Sequence, residues 1–156
     1  MFRKLRRIKQ ELSQEECIQI LQEEKRGFLA VFGDEEYPYA LPMNYVYVNN
    51  KIYFHSAQEG HKIDSIKKHN KVSFSVINKG EKVENDWYYI FKSVICFGKI
   101  QKIDESEEKH KILTILGNKY FPSEEYTENE INKAFARTQV LKLEIEHISG
   151  KIVTEK

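Results

Sequence analysis

Within residues 53–64, Tyr-Phe-His-Ser-Ala-Gln-Glu-Gly-His-Lys-Ile-Asp, the chain gathers two imidazoles, a hydroxyl and an ammonium: His55, Ser56, His61 and Lys62. The stretch begins as an alternating apolar strand and breaks at Gly60. It restarts as a helix carrying Lys62, Ile63 and Ile66. The first N–H groups of a helix have no partner in the helix, and its dipole is positive there. With a lysine beside them, they make a site for a phosphate or another anion. Ser56 adds a hydroxyl, and both histidine rings titrate near neutral pH. The same residues also fit an ordinary strand, turn and helix with a solvated lysine, and this stretch alone does not separate the two.

Other candidate chemistry is thinner. A zinc site built from His55, His61 and a carboxylate lacks a third and fourth ligand at the usual spacing. His69 and His110 stand among lysines and read as solvated. His147 continues the apolar series Leu141, Leu143, Ile145 and reads as a core or interface ring. Arg3, Lys4, Arg6, Arg7 and Lys9 form a basic arm that could meet an anionic ligand, a partner subunit or nucleic acid, or simply be solvated.

The whole chain bounds these options. Its 156 residues suit one domain with a real core, and 40% apolar with 12% aromatic content argues against disorder. Nine Tyr and nine Phe favour strands or a stacked planar ligand over a helical bundle. With 25 Lys+Arg against 24 Asp+Glu, the overall charge makes no case for nucleic acid. Cys17 and Cys96 form no CxxC pair, which speaks against zinc and a disulfide framework and for a reducing cytoplasm. No apolar run approaches a membrane span or a signal peptide, so neither membrane nor export is expected.

The elements that must position the cluster follow in order. Ser13 and Glu16 form a capping box that opens a helix to about Lys25, with Gly27 expected to end it. The apolar run 27–32 predicts a buried strand. Pro38–Val48 and Lys51–Ser56 predict a hairpin turning at Asn49-Asn50, with Pro42 marking a bulge or an edge strand. A helix near 61–69 precedes an alternating strand, Lys71–Ile77. Residues 78–86 read as a charged loop. Tyr88–Ile103 is too long for one flat strand, and Gly98 is its expected bend. Helices are expected over Asp104–Tyr120 and, with a capping box at Thr127 and Glu130, over Thr127–Ala136. Gln139–Ile148 closes as a strand with one wet face. About six strands with inserted helices predict an antiparallel barrel rather than a doubly wound parallel sheet. No GxGxxG or Walker loop is present, and no repeat or linker divides residues 1–156.

Three segments carry a resemblance: Tyr37-Pro-Tyr-Ala-Leu-Pro-Met-Asn-Tyr-Val-Tyr47, Ile52–Asp64 and Ser93-Val-Ile-Cys-Phe-Gly98. Their order and spacing resemble the flavin-binding split-barrel superfamily of pyridoxamine 5'-phosphate oxidase, in its 5-nitroimidazole-resistance (nitroimidazole reductase) branch. The tail Glu146–Lys151 is similar to that branch too. The resemblance implies a six-stranded antiparallel split β-barrel with helical insertions, a single FMN-binding domain, and FMN at a homodimer interface. It implies that Pro42, Met43 and Asn44 run along the isoalloxazine ring and that His55 lies next to it. Ser56 and Ala57 would meet the ribityl-phosphate end. Gly60, His61 and Lys62 would hold the phosphate, with His61 replacing the arginine of an Arg-Lys pair. Ser93 and Val94 would border the flavin from the long strand. The C-terminal Arg- and Trp-containing segments that bind the vitamin substrate are absent, and Trp87 is the only tryptophan, so pyridoxamine phosphate oxidation is disfavoured. The expected function is FMN-dependent reduction of a small nitroaromatic or similar electrophile, with His55 as proton donor. A flavin-binding carrier or sensor is the alternative, and a nucleic-acid binder using the basic arm is a weaker third.

Overall fold

The computed structural model describes residues 1–156. Helix α1, Gln14–Glu23, opens on the expected capping box: the Ser13 side chain accepts from the Glu16 N–H, and the Glu16 carboxylate accepts from the Ser13 N–H at 2.9 Å. It buries Cys17, Ile20 and Leu21. The helix ends at Glu24 in extended backbone, so Gly27 is not its cap. Gly27 lies inside strand β1, Arg26–Phe32. A Cβ there would come within 2.3 Å of the Phe74 ring, so glycine answers to a close approach rather than to a turn. Strand β1 alternates instead of being buried throughout. Leu29 and Val31 point into the core, while Phe28 and Phe32 are 53% and 58% exposed.

The remaining strands are β2 (Pro38–Asn44), β3 (Val46–Val48), β4 (Lys51–Ala57), β5 (Lys71–Ile77), β6 (Glu81–Lys82), β7 (Tyr89–Ile103) and β8 (Thr138–Thr154). Helices α2 (His61–Lys68), α3 (Ser106–Tyr120) and α4 (Glu124–Ala134) are inserted among them. All pairings are antiparallel, in the order β2-β1-β5-β7-β8-β4-β3, with β6 beside β7. Strands β2 and β3 stand at opposite ends of that order yet are separated by Tyr45 alone. The sheet therefore curls round on itself into a split barrel.

The strand count is eight, not six, for two physical reasons. The expected single strand 38–48 is interrupted at Tyr45, whose backbone N–H and C=O turn to the Tyr120 hydroxyl at 2.8 and 2.7 Å. Glu81 and Lys82, inside the expected charged loop, pair with Ile90 and Tyr89. The hairpin turn is as expected: Asn49 and Asn50 both take positive φ, 47° and 60°. Register β1–β2 runs unbroken through Pro42, which faces Phe28, so proline marks an edge strand and not a bulge.

The irregularity falls in the β7–β8 ladder between Phe97 and Gly98. Phe97 pairs with His147 and Gly98 with Ile145, which leaves Glu146 as an extra residue in β8. A Cβ at Gly98 would lie 2.0 Å from the Glu144 carbonyl oxygen. The extra residue inverts the side-chain alternation of β8. Leu141, Leu143 and Ile145 face inward before it, and Ile148 and Ile152 after it. His147 therefore does not continue the apolar face. It lies outside, stacked on Phe2 with centroids 4.6 Å apart and planes within 5°.

Of the three inserted helices, α2 starts as expected, and α3 and α4 start away from the expected positions. The Glu105 carboxylate caps α3, accepting from the Glu107 and Glu108 N–H groups. Ser123 caps α4, accepting from the Tyr126 N–H at 3.1 Å. Thr127 is a buried residue within α4 rather than its cap, and its hydroxyl donates back to the Ser123 carbonyl.

Two apolar layers result. The barrel interior holds Leu29, Tyr45, Phe54, Phe74, Val94, Cys96, Ile100, Leu141 and Leu143, closed by Ile63 and Ile66 of α2 and by α1. The second layer joins the outer face of β3, β4 and β8 (Val46, Tyr53, Val140) to Ile112, Leu113 and Leu116 of α3 and Ile131 of α4. Each fully buried Leu, Ile or Phe side chain contributes about 1.5–3 kcal/mol, so the helix pair is a fixed wall over β4. No helix is long and apolar enough to cross a membrane.

Candidate functional site

Strand β4 carries its residues to two different faces. Ile52, Tyr53 and Phe54 are buried, whereas His55 and Ala57 lie outside with Tyr53, next to the α3–α4 pair. Ser56 takes the opposite face, at the end of the barrel. Gly60 then turns the chain with φ of 124°, a value that suits glycine, and α2 begins. No side chain caps this helix, and the space beyond Gly60 is open to 4 Å. The first N–H groups of α2 are thus left without a side-chain partner.

Lys62 stands in this first turn. It is half-buried, and its Nζ reaches the Met43 sulfur at 3.7 Å while forming no ion pair. Burial holds its pKa below the ordinary lysine value. A cation removed from water with no counter-charge is costly unless a ligand supplies one. Lys62 also acts on His55: burial, and then the Lys62 charge, pull the histidine pKa below its ordinary value. The ring therefore holds its proton less readily than the unperturbed imidazole expected from sequence.

His61 behaves differently from its neighbour. Its Nε2 accepts from the Asp34 N–H at 3.3 Å and lies 3.6 Å from the Asp34 carboxylate. The ring stacks on Tyr39, centroids 4.3 Å apart and planes within 10°. Asp34 in turn meets Lys68 at 3.3 Å. Glu35 and Glu36, the next two residues, have φ of 53° and 62°, unusual for glutamate. His61 thus faces an acidic turn rather than converging with Lys62.

Pro42, Met43 and Asn44 end β2 beside this cluster. The Met43 side chain is buried against the barrel core, and Pro42 and Asn44 face the other way. Ser93 and Val94 are not brought in. The Val94 side chain is fully buried in the barrel, and Ser93 pairs with Lys151. Lys151 lies about 40 Å of strand contour from Thr138, the partner of Ala57, at ~3.3 Å per residue.

A cavity of about 340 Å³ opens between the barrel and the helix pair. Asn44 and His55 line it from the sheet, and Leu116, Tyr120, Glu130 and Phe135 are among its helical walls. Tyr120 and its neighbour fix the sheet edge. The Tyr120 hydroxyl meets the backbone of Tyr45 and the Lys25 carbonyl. Lys119 donates to the Glu24 and Tyr45 carbonyls at 2.6 and 3.1 Å, and its ammonium lies 4.1 Å over the Tyr45 ring. Burial pulls the Lys119 pKa down to about 8. The sequence gives no site role to Tyr120, which reads only as a helix end, or to Glu130, which reads as the last residue of a capping box. The one available signal was the Phe121-Pro122 break, which places Tyr120 at a helix end. No three His, Cys, Asp or Glu side chains converge as a metal site would need.

A sequence profile for pyridoxamine 5'-phosphate oxidase matches residues 13–152. No curated protein matches the chain. Among solved structures, a candidate 5-nitroimidazole antibiotic resistance protein from Bacteroides thetaiotaomicron is similar at TM-score 0.77 and 24% identity, over 92% of this chain and 87% of that one. An FAD-binding protein from Mesorhizobium loti gives TM-score 0.68 and 24% identity, over 92% and 96%. An FAD- and haem-binding protein from Mycobacterium smegmatis gives 0.74 and 20%, over 95% and 74%. At these identities the likeness is one of fold.

Proposed function

The chain belongs to the pyridoxamine 5'-phosphate oxidase family, and from that premise we propose that it is an FMN-dependent oxidoreductase acting on nitroaromatic or similar small electrophiles. The observation that carries the reading is Lys62: a half-buried cation at an uncapped helix N-terminus, with a sulfur atom as its one polar contact. An anion is the missing partner, and the terminal phosphate of FMN fits its charge and place. The FAD-binding neighbours lend support to a flavin in general. FMN is preferred because its phosphate ends the molecule, as a single cation beside one helix end requires.

Bound there, FMN would supply hydride transfer. The chain's own residues have separate tasks. Lys62 and the α2 N–H groups hold the anion. The edge strand Pro42–Asn44 offers backbone groups and the Asn44 amide to a flat ring. His55 presents an N–H to whatever occupies the cavity, and in its protonated form it can deliver a proton to a reduced nitro oxygen. The α3–α4 wall keeps bulk water from that side.

We also place the flavin at a homodimer interface. Phe28, Phe32, Ile77, Ile95 and Phe97 are exposed on the outer faces of β1, β5 and β7, strands that are neighbours in the sheet. An apolar patch of this kind suits a two-fold interface. A second copy would bring Ser93, the Val94 backbone and the Lys151 region to a flavin that Lys62 holds.

The second reading, a flavin-binding carrier or sensor without turnover, draws on the lowered pKa of His55, which makes it a less ready proton donor. The deciding experiment is the purified protein's bound flavin, followed by anaerobic reduction and mixing with a 5-nitroimidazole. Stoichiometric FMN and reoxidation by the nitro compound support the reductase. FMN without reoxidation by any nitro compound leaves the carrier, and no flavin overturns both.

A further inference from the structure

We infer that the β6–β7 hairpin of each subunit crosses the two-fold interface and packs Trp87 against the flavin ring held by the other subunit. The inference rests on the proposed homodimer and flavin site, and it adds a cofactor-contacting residue supplied by the second copy.

The hairpin holds one side chain out on a fixed frame. Glu81 and Lys82 pair with Ile90 and Tyr89. The turn is closed by the Val83 N–H donating to the Tyr88 carbonyl at 3.0 Å and the Asp86 N–H to the Val83 carbonyl at 3.1 Å. The Trp87 N–H donates to its neighbour's carboxylate, Asp86 Oδ1, at 2.9 Å. The far side is tied as well: the Tyr89 N–H donates to the Glu155 carboxylate at 2.9 Å, and the Glu155 N–H to the Tyr89 carbonyl at 3.2 Å. Yet the Trp87 side chain is 69% exposed. The one ring against it is that of Tyr88, centroids 5.8 Å apart and planes at 73°. A large aromatic side chain on a rigid frame loses little entropy on docking, which is why tryptophan recurs as an interface anchor.

The face of β7 names the occupant. Side chains of a strand alternate between faces, so Tyr89, Phe91, Ser93, Ile95 and Phe97 share the outer one, while Val94 and Cys96 are buried in the barrel. Pairing with β8 is regular from Ile90 to Phe97, so no bulge breaks this row. Past Phe97 the same face continues with Lys99 and Gln101, both exposed. The apolar row therefore ends there and runs the other way, toward the hairpin. Ile95 and Phe97 already belong to the face proposed for the two-fold contact, and Trp87 continues it. A second copy that covers the row covers the hairpin too.

Reach then joins the indole to the cofactor. Ser93 lies in the middle of the row, four residues or about 13 Å of strand from Tyr89. A flavin bordered by Ser93 of the second copy thus has that copy's hairpin tip nearby. The indole offers a flat apolar face of the kind that suits an isoalloxazine ring.

Trp87 is the chain's only tryptophan, so indole emission of the full protein reports on this residue alone. The flavin-free dimer is compared with the same protein diluted to monomer and with the Phe97→Glu variant. The dimer should emit at shorter wavelength and resist quenching by acrylamide. Trp87→Ala, studied at a concentration where it sediments as a dimer, should bind FMN and riboflavin alike about five- to tenfold more weakly in calorimetry. Trp87→Phe should recover most of that loss. A dimer whose indole emits and quenches as the monomer's does overturns the inference, as do parent-like flavin affinities in Trp87→Ala. A loss confined to FMN would put Trp87 at the phosphate and overturn the ring contact. Each of these leaves the dimer and flavin readings standing. A parent that sediments as a monomer, or takes up no flavin, overturns those readings and this inference with them.

Discussion

The Lys62 ammonium lies 3.7 Å from the sulfur of Met43, and no carboxylate answers it. A chain selected for stability alone would place methionine or leucine at such a spot. Stability and binding should therefore respond to this residue with opposite signs. Lys62→Met is expected to weaken FMN binding by about 1.5–3 kcal/mol, the range for a hydrogen bond to a charged group. The flavin-free variant should at the same time melt about 1–3 °C higher. Calorimetry with FMN and a thermal melt of the apoprotein check both halves; unchanged affinity removes Lys62 from the site.

Asp34 competes for His61. Its carboxylate lies 3.6 Å from the ring and 3.3 Å from Lys68. Asp34→Asn should free Lys68 and the His61 ring and withdraw a negative charge from the phosphate's neighbourhood. FMN affinity is expected to rise by about three- to tenfold, with riboflavin, which has no phosphate, unaffected. Parallel titrations with the two flavins decide it, since an equal change in both would point to the loop's structure and not to charge.

His55 sets a pH dependence. Burial and the Lys62 charge lower its pKa, so the imidazolium needed for proton delivery accumulates only below the ordinary histidine range. The rate of nitro-compound reduction by reduced protein should therefore increase as pH falls through and below about 6.5. His55→Ala should keep FMN but lose roughly 10²-fold in rate, and its profile should be flat. A variant as fast as the parent at every pH would confine His55 to holding the flavin.

Lys119 gives a stability effect of definite sign. Its native pKa is about 8 against 10.5 for the ordinary side chain. Between those values the unfolded chain holds a proton that the native state has released. Stability from this residue therefore rises with pH across that window and levels off above it. Lys119→Met should abolish the rise. Urea midpoints of both proteins at about pH 7.5, 8.5 and 9.5 measure it.

The proposed dimer is tested on its apolar face. Phe97→Glu and Phe28→Glu put charges on β7 and β1, either side of β5, on the outer surface where both phenylalanines are exposed. Each should shift sedimentation from dimer to monomer at micromolar concentration and release flavin with it. A parent protein that sediments as a monomer with flavin bound would overturn the assignment.

Much of the fold was legible because it depends on local patterns. The Ser13–Glu16 box, the Asn49-Asn50 turn and the alternation of Lys71–Ile77 each specify their own conformation, and all three are present. What was not legible depends on partners distant in sequence. Gly27 reads as a helix stop until Phe74 is seen pressed against it. His147 reads as a core residue until Glu146 is found unpaired and the alternation reverses. The same holds for the site. Lys62 and Gly60 stood out because the strand-turn-helix signal is continuous, and His55 came with them. The engagement of His61 by Asp34 spans 27 residues, and the cavity needs a helix pair whose sequence shows only amphipathic character.

The single residue between β2 and β3 has a bearing on how the chain reaches this structure. Hairpins β1–β2 and β3–β4 join neighbours in sequence and can form early. The pairing of β4 with β8 brings together Lys51 and Glu144, roughly 90 residues apart, and it is the seam that completes the ring. Closing so long a loop has an entropic cost that only long-range contacts return, so this step should be late and rate-limiting. Docking of the α3–α4 pair, itself local, on β4 before β8 arrives would shorten the effective loop. Changes in the layer of Val46, Tyr53, Leu116 and Ile131 should accordingly slow refolding, while changes in the β1–β2 hairpin should chiefly speed unfolding.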